Sequence, residues 1–209
     1  MGFVSNFMTA VNPQITKSYA SGNRAYMMTL IYQGARLSFF MLLFLSLPII
    51  CNTPYILQLW LKEVPEHTVL FAQLTLIFAL SESISNPLIT AMLATGRIRN
   101  YQLVVGGLQM MNLPISYVLL RMGWIPETVL IVAIVISQCC LASRLYMLRG
   151  LIGLKARHYL HNVYLNVLSV SVCAVILPMI ASYYLREGFI SFILICLLCV
   201  FSVSVSVYY

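Results

Sequence analysis

Residues 68–95 read TVLFAQLTLIFALSESISNPLITAMLAT. A helix needs about 20 mostly apolar residues to cross a bilayer, and this stretch is long and apolar enough. Yet Ser81, Glu82, Ser83, Ser85 and Asn86 crowd its middle. An ionised carboxylate facing lipid at mid-depth costs about 2.5–3.5 kcal/mol. If the stretch spans a membrane, Glu82 therefore faces protein or a water-filled interior, or carries a proton. The rest of the chain says that it does span.

The chain has 209 residues, 61% of them hydrophobic and 8% charged. Soluble domains carry about 25% charged residues, so the composition is that of a membrane protein. Strands are not expected, because the apolar runs are long and unalternating and an open sheet edge cannot sit in lipid. There is no Asp; five Glu stand against twelve Lys and Arg, for a net charge of +7. The cations are spread along the chain rather than gathered in one patch, which argues against nucleic acid and for basic cytoplasmic loops. The expected fold is all-α, a polytopic bundle of about seven spans near 2–20, 34–60, 68–95, 101–120, 127–148, 160–184 and 188–208.

The loops support this division. Those near 22, 98 and 154 are basic, through Lys17 and Arg24, Arg97 and Arg99, and Arg149, Lys155 and Arg157. Those near 64, 124 and 186 are balanced, with Lys62 against Glu63 and Glu66, Arg121 against Glu127, and Arg186 against Glu187, His67 being close to neutral. Basic loops face the cytoplasm, so the first span enters from outside. Together with an end at SVYY without a following basic segment, this gives the expectation that the chain is a piece of a longer protein.

The loops are too short for an inserted soluble domain, so function is expected in the spans and their ends. Tyr19, Tyr26, Tyr32, Trp60, Tyr101, Tyr117, Trp124, Tyr159 and Tyr164 fall near span ends, as an aromatic belt does. The six cysteines lie in or beside apolar runs, and Cys196 and Cys199 read as small hydrophobes rather than a redox pair. His158 and His161 have helical spacing but no carboxylate or Cys nearby in sequence, so no metal is expected, and no cofactor either. The start lacks the pattern of a signal peptide. Without Asp and without a large loop, an enzyme is not expected.

Several positions depart from plain lipid-facing sequence. Pro48, Pro87 and Pro114 interrupt spans. Ala91, Ala94, Thr95 and Gly96, and further on Gly106 and Gly107, allow close helix contact. Ser85 and Asn86 share the helical face of Glu82, with Thr75 and Ala79 on the turns before. Pro87 cannot donate a backbone hydrogen bond, which leaves a carbonyl near Ser83 open to another donor. Two roles stay open for the Glu82 patch: a site that couples a proton or ion to movement, or a packing contact between helices.

The strings VNPQITKSYASGN (11–23), ILQLWLKEVPEHTVLF (56–71), NPLITAMLATGRIRNYQLVVGGLQMMNLPISYVLLRMGWIPE (86–127) and ASRLYMLR (142–149) resemble the O-antigen and polysaccharide flippases. These are lipopolysaccharide-biosynthesis proteins of the multidrug/oligosaccharidyl-lipid/polysaccharide superfamily, with a MATE-like fold. The resemblance covers about residues 3–155, and the last two spans match by pattern only. It implies two six-helix lobes, commonly followed by two further helices. Residues 1–155 would be part of the second lobe and 156–209 the two additional helices, with the first lobe absent.

The resemblance further implies translocation of undecaprenyl-diphosphate-linked oligosaccharide across the bacterial inner membrane, for O-antigen or capsule. The expected partners are the lipid bilayer, the lipid-linked oligosaccharide and polysaccharide assembly proteins. Lys17, Arg24, Arg97, Arg99 and Arg144 would form a basic inner rim that attracts the diphosphate headgroup; the plainer reading is topology and attraction to anionic lipid. Arg36, inside the second span, would either meet substrate in the interior or snorkel to the inner surface. The alternatives are a drug or cation antiporter of the same superfamily and a nonfunctional truncated fragment.

Overall fold

In lipid a backbone must satisfy its own polar groups, and an apolar chain does so most simply as helix. The computed structural model describes residues 2–61, 63–184 and 189–208, and among them every element is helical. The order is α1 (Gly2–Ala20), α2 (Arg24–Cys51), α3 (Thr53–Trp60), α4 (Thr68–Ala94), α5 (Ile98–Met110), α6 (Asn112–Arg121), α7 (Thr128–Ile152) and α8 (Ala156–Tyr159). A π-helical segment, Leu160–Leu165, then leads into α9 (Asn166–Tyr184), and α10 (Phe189–Tyr208) follows.

Five stretches are long and apolar enough to cross a membrane: Arg24–Cys51, Thr68–Ala94, Ile98–Arg121, Thr128–Ile152 and Ala156–Ile176. Two spans expected to be continuous are each two helices. The run 34–60 breaks at Asn52, whose side-chain amide donates to the Pro48 carbonyl at 3.0 Å, and Pro54 opens α3. The run 101–120 breaks at Met111, with Pro114 in the first turn of α6, where a missing N–H costs no intrahelical bond. The fifth expected span closes one turn further on than its expected bound of 148. It runs to Ile152, where Gly153 takes a left-handed conformation (φ 77°) that a side chain would resist.

α4 is the centre of the bundle. It packs on α2, α7 and α1, while α2 also carries α9 and α10. Where α1, α2 and α4 cross, Gly34 lets the backbones meet. A Cβ there would lie 3.3 Å from Pro87 Cγ and 3.6 Å from Val11 Cγ1. Pro87 of α4, the kink position, is thus seated against a residue with no side chain. α5 and α6 lie outside this core, packed chiefly on α7.

The two ends of the bundle differ in charge. Lys17, Arg24, Arg97, Arg99, Arg149, Lys155 and Arg157 are exposed, and the elements that carry them meet at one end. Arg97 and Arg149 line one cavity there. Tyr32 of α2 stacks edge-on against His158 at 5.7 Å. At the other end Glu63, Glu66 and Arg121 are exposed. Glu127 was expected to be a solvated loop charge, but it is buried at 2% exposure and pairs with His67 at 2.5 Å. Lys62, Arg186 and Glu187 lie outside the described residues.

Candidate functional site

The polar middle of α4 is met by α7 and by the π-helical segment. Ser137 Oγ donates to Glu82 Oε1 at 2.5 Å. One residue along, Gln138 Nε2 donates to Ser81 Oγ. Tyr164 OH donates to Gln138 Oε1 at 3.3 Å, which carries the chain of bonds onto the π-helical segment. Consecutive polar pairs, 81–82 on α4 and 137–138 on α7, thus bridge the helices inside an otherwise apolar bundle.

The carbonyl expected to open near Ser83 is taken one residue further on. Tyr159 OH donates to the Ile84 carbonyl at 2.9 Å. Tyr159 is fully buried and so is not the belt residue that its position at a span end implied. A π turn holds more residues than an α turn, and here it carries both Tyr159 and Tyr164 into the interior, toward α4 and α7 respectively. On its far side α4 is tied to α1, with Thr90 Oγ1 donating to Asn12 Oδ1 at 2.8 Å.

The expected neighbours of Glu82 divide. Ser85 is fully buried, and its hydroxyl has no hydrogen-bond partner; the same holds for Ser38 on α2. Asn86 is half-buried and accepts at its backbone carbonyl from Thr90 Oγ1 at 3.4 Å. Thr75 turns outward and bonds its own helix. Glu82 itself is half-buried.

Arg144 departs most from expectation. Instead of standing on the basic rim, it is 1% exposed inside the bundle, and its Nε and Nη1 have no hydrogen-bond partner. The rim assignment fails because α7 continues past 148, which places Arg144 about two turns inside the helix end. Helical side chains lean toward the N-terminus of their helix, here back toward Cys140. That residue lies within electrostatic range of both Arg144 and Glu82. Among the described residues the one ion pair is His67–Glu127, so Glu82 and Arg144 are near but not paired. A guanidinium with idle donors beside a carboxylate held by a serine has two ways to bond, and that is a chemical basis for two states.

The remaining expected positions lie apart from this interior. Lys17, Arg24 and Arg99 are exposed at the basic end, and Arg36 is half-buried in α2. Arg97 lines a cavity of about 740 Å³ between α4, α5 and α7. Asn162 Nδ2 meets His158 Nε2 at 2.7 Å, so His158 serves the helix surface rather than a metal set. Ser137, Gln138, Tyr159 and Tyr164 were not singled out as site residues. Their polar heads in long apolar runs were the available signal.

At the opposite end, Glu127 sits at the start of α7, where a negative charge is favoured. A hydrogen bond from its own backbone N–H is the main influence holding its carboxyl below the usual range; His67 adds to this, against the opposing effect of burial. His67 caps α4 with left-handed backbone (φ 71°), a conformation in which His is more often found than most residues. The pair ties the start of α4 to the start of α7.

No family model, curated protein or solved structure matches the chain.

Proposed function

We propose that the chain is a multi-pass bacterial inner-membrane protein and part of a transporter for lipid-linked oligosaccharide, of the polysaccharide-flippase kind. Its seven-span, MATE-like second-lobe arrangement is part of this proposal. The observation that carries it is the polar seam between α4 and α7. A carboxylate held by Ser137 lies near an unpaired, buried Arg144, beside a proline kink seated on Gly34. Ionisable groups kept inside a membrane mark substrate or ion pathways more often than packing, and broken helices are where transporters move.

The roles follow from the bonding. Ionised Glu82 accepts from Ser137 and attracts the idle donors of Arg144. Protonated Glu82 loses that attraction and frees Arg144 for another anion. The exposed cations at one end favour an anionic cargo over the cationic drugs of an antiporter, whose interior would be more acidic.

The test is Glu82→Gln in the transporter that restores surface polysaccharide to a flippase-deficient strain. Gln keeps shape and acceptor but does not titrate. Transport that persists but no longer responds to the proton or sodium gradient, at normal protein levels, is the expected result. Unchanged, gradient-dependent transport would reduce Glu82 to a packing contact.

A further inference from the structure

The cavity at the basic end is separate from the Glu82 seam and stands independently of the transporter reading. It needs only that the chain lies in a membrane. Its wall comes from the last turns of α4, the first turns of α5 and the last turns of α7, with Met92, Arg97, Asn100, Tyr101, Tyr146 and Arg149 on it. We propose that it binds the phosphate headgroup of a membrane lipid, and prefers a phosphate monoester or a diphosphate to a diester.

Three observations lead there. Arg97 and Arg149 reach one space from different helices, and among the described residues neither makes an ion pair. Glu63, Glu66 and Glu127 belong to the opposite end and Glu82 to the middle of α4, so no described carboxylate neutralises this end. A guanidinium presents a planar fork that takes two phosphate oxygens. Two such forks use more free oxygens than the two of a diester; a monoester has three and a diphosphate more. The Asn100 amide adds a neutral donor on the same wall.

Size and surroundings favour a lipid over a free anion. About 740 Å³ is far more room than one phosphate fills, and falls in the range of small-molecule sites. Met147 and Leu151 supply apolar lining. Ile98 and Leu103 of α5, and Leu93 of α4, are exposed on the surface alongside. An amphiphile entering from the bilayer would keep its chains on that surface and its headgroup between the arginines. General attraction of anionic lipid to basic residues is the simpler account. Arg99 provides the internal control, because it is exposed at the same end but does not line the cavity.

The experiment places the full chain in phosphatidylcholine nanodiscs doped with phosphatidic acid or phosphatidylglycerol and counts retained lipid by native mass spectrometry. Phosphatidic acid, a monoester, should be retained over phosphatidylglycerol, a diester. Arg97→Gln and Arg149→Gln should each weaken retention about tenfold, as loss of one charge-assisted contact does. Both residues are exposed, so the fold should hold, and Arg99→Gln should change little. Equal retention of the two lipids, or an equal loss with Arg99→Gln, would overturn the proposal. Millimolar inorganic diphosphate distinguishes the sources. Failure to displace the lipid supports a membrane lipid as ligand; full displacement would overturn the lipid as its source.

Discussion

α4 and the α5–α6 pair have nearly the same mean hydropathy, 1.5 and 1.6 over their most apolar windows, yet 28% of the first window is buried and 11% of the second. Each contains a proline, polar residues and glycine contacts or glycines of its own. In α4 the proline is buried against Gly34, and its polar residues meet α7 and the π-helical segment. In α5–α6 the proline is exposed at a helix start, and both Gly106 and Gly107 are free of crowding by neighbouring helices. Hydropathy separates membrane from water, but it does not separate lipid from protein. What distinguishes the two helices is which residues find partners across a helix interface.

The glycines offer the largest test of that contrast. Gly34→Leu places a side chain where a Cβ alone would meet Pro87 at 3.3 Å. Overpacking of this kind costs about 1–3 kcal/mol or more. Gly107→Leu meets nothing within 4 Å of its Cβ and should gain up to about 1 kcal/mol of helix propensity. Thermal unfolding in detergent should therefore move in opposite directions for the two variants. A shift of the same sign and size in both would break the distinction.

Polar residues give the next test. Glu82→Ala leaves the buried Ser137 hydroxyl without its acceptor, at about 1–3 kcal/mol. Glu82→Gln retains an acceptor and should cost less. Gln109→Ala, on the exposed face of α5, should stay within about 0.5 kcal/mol. If Glu82→Ala were as mild as Gln109→Ala, the seam would not hold α4 to α7.

A smaller effect separates two tyrosines. Tyr159→Phe removes the bond to the Ile84 carbonyl beside the kink and should cost about 1 kcal/mol. Tyr117→Phe removes only an exposed contact from Arg121, at 3.4 Å, and should be silent in the same unfolding measurement. Equal melting temperatures for the two variants would mean that the opened backbone of α4 does not need its donor.

Sequence reasoning reached the helices, because long apolar runs without alternation leave a chain in lipid no other choice. It reached the sorting of the loops to two ends through their charges. It also reached the need of Glu82 and of the carbonyls before Pro87 for partners, since each follows from local chemistry. It did not reach the partners themselves. Ser137 and Gln138 look like any small polar residues in a span, and only packing brings them to 81–82. Tyr159 looked interfacial because nothing local announces a π-helical segment, yet that segment turns it inward. Arg144 looked like a rim residue because the end of α7 was read one turn early, and one turn is about 5 Å of depth. Glu127 looked balanced by Arg121, whereas its partner is His67, 60 positions away in sequence.

The His67–Glu127 pair gives the last test, at the end of the bundle where α4 and α7 begin and α6 has just ended. Glu127 is buried with one carboxyl oxygen on His67 and the other without a partner. Its carboxyl is held below the ordinary Glu range, first by the hydrogen bond from its own backbone N–H, then by His67, against the cost of burial. The folded state therefore binds this proton less readily than the unfolded chain, whose Glu titrates near about 4.3. The resulting stability is fully present above that value and is lost as pH falls through the lower, folded one. Melting temperature measured from neutral pH down to about pH 3 should hold and then decline on the acid side. Glu127→Gln should remove part of that decline while keeping the side chain's shape. Glu63, Glu66 and Arg121 of the neighbouring loops are exposed and are present in both proteins, so any contribution from them remains in the variant. A decline of equal depth in Glu127→Gln would show that the tie between the starts of α4 and α7 does not depend on the carboxylate's charge. The contrast between α4 and α5–α6 would then rest on the interior seam alone.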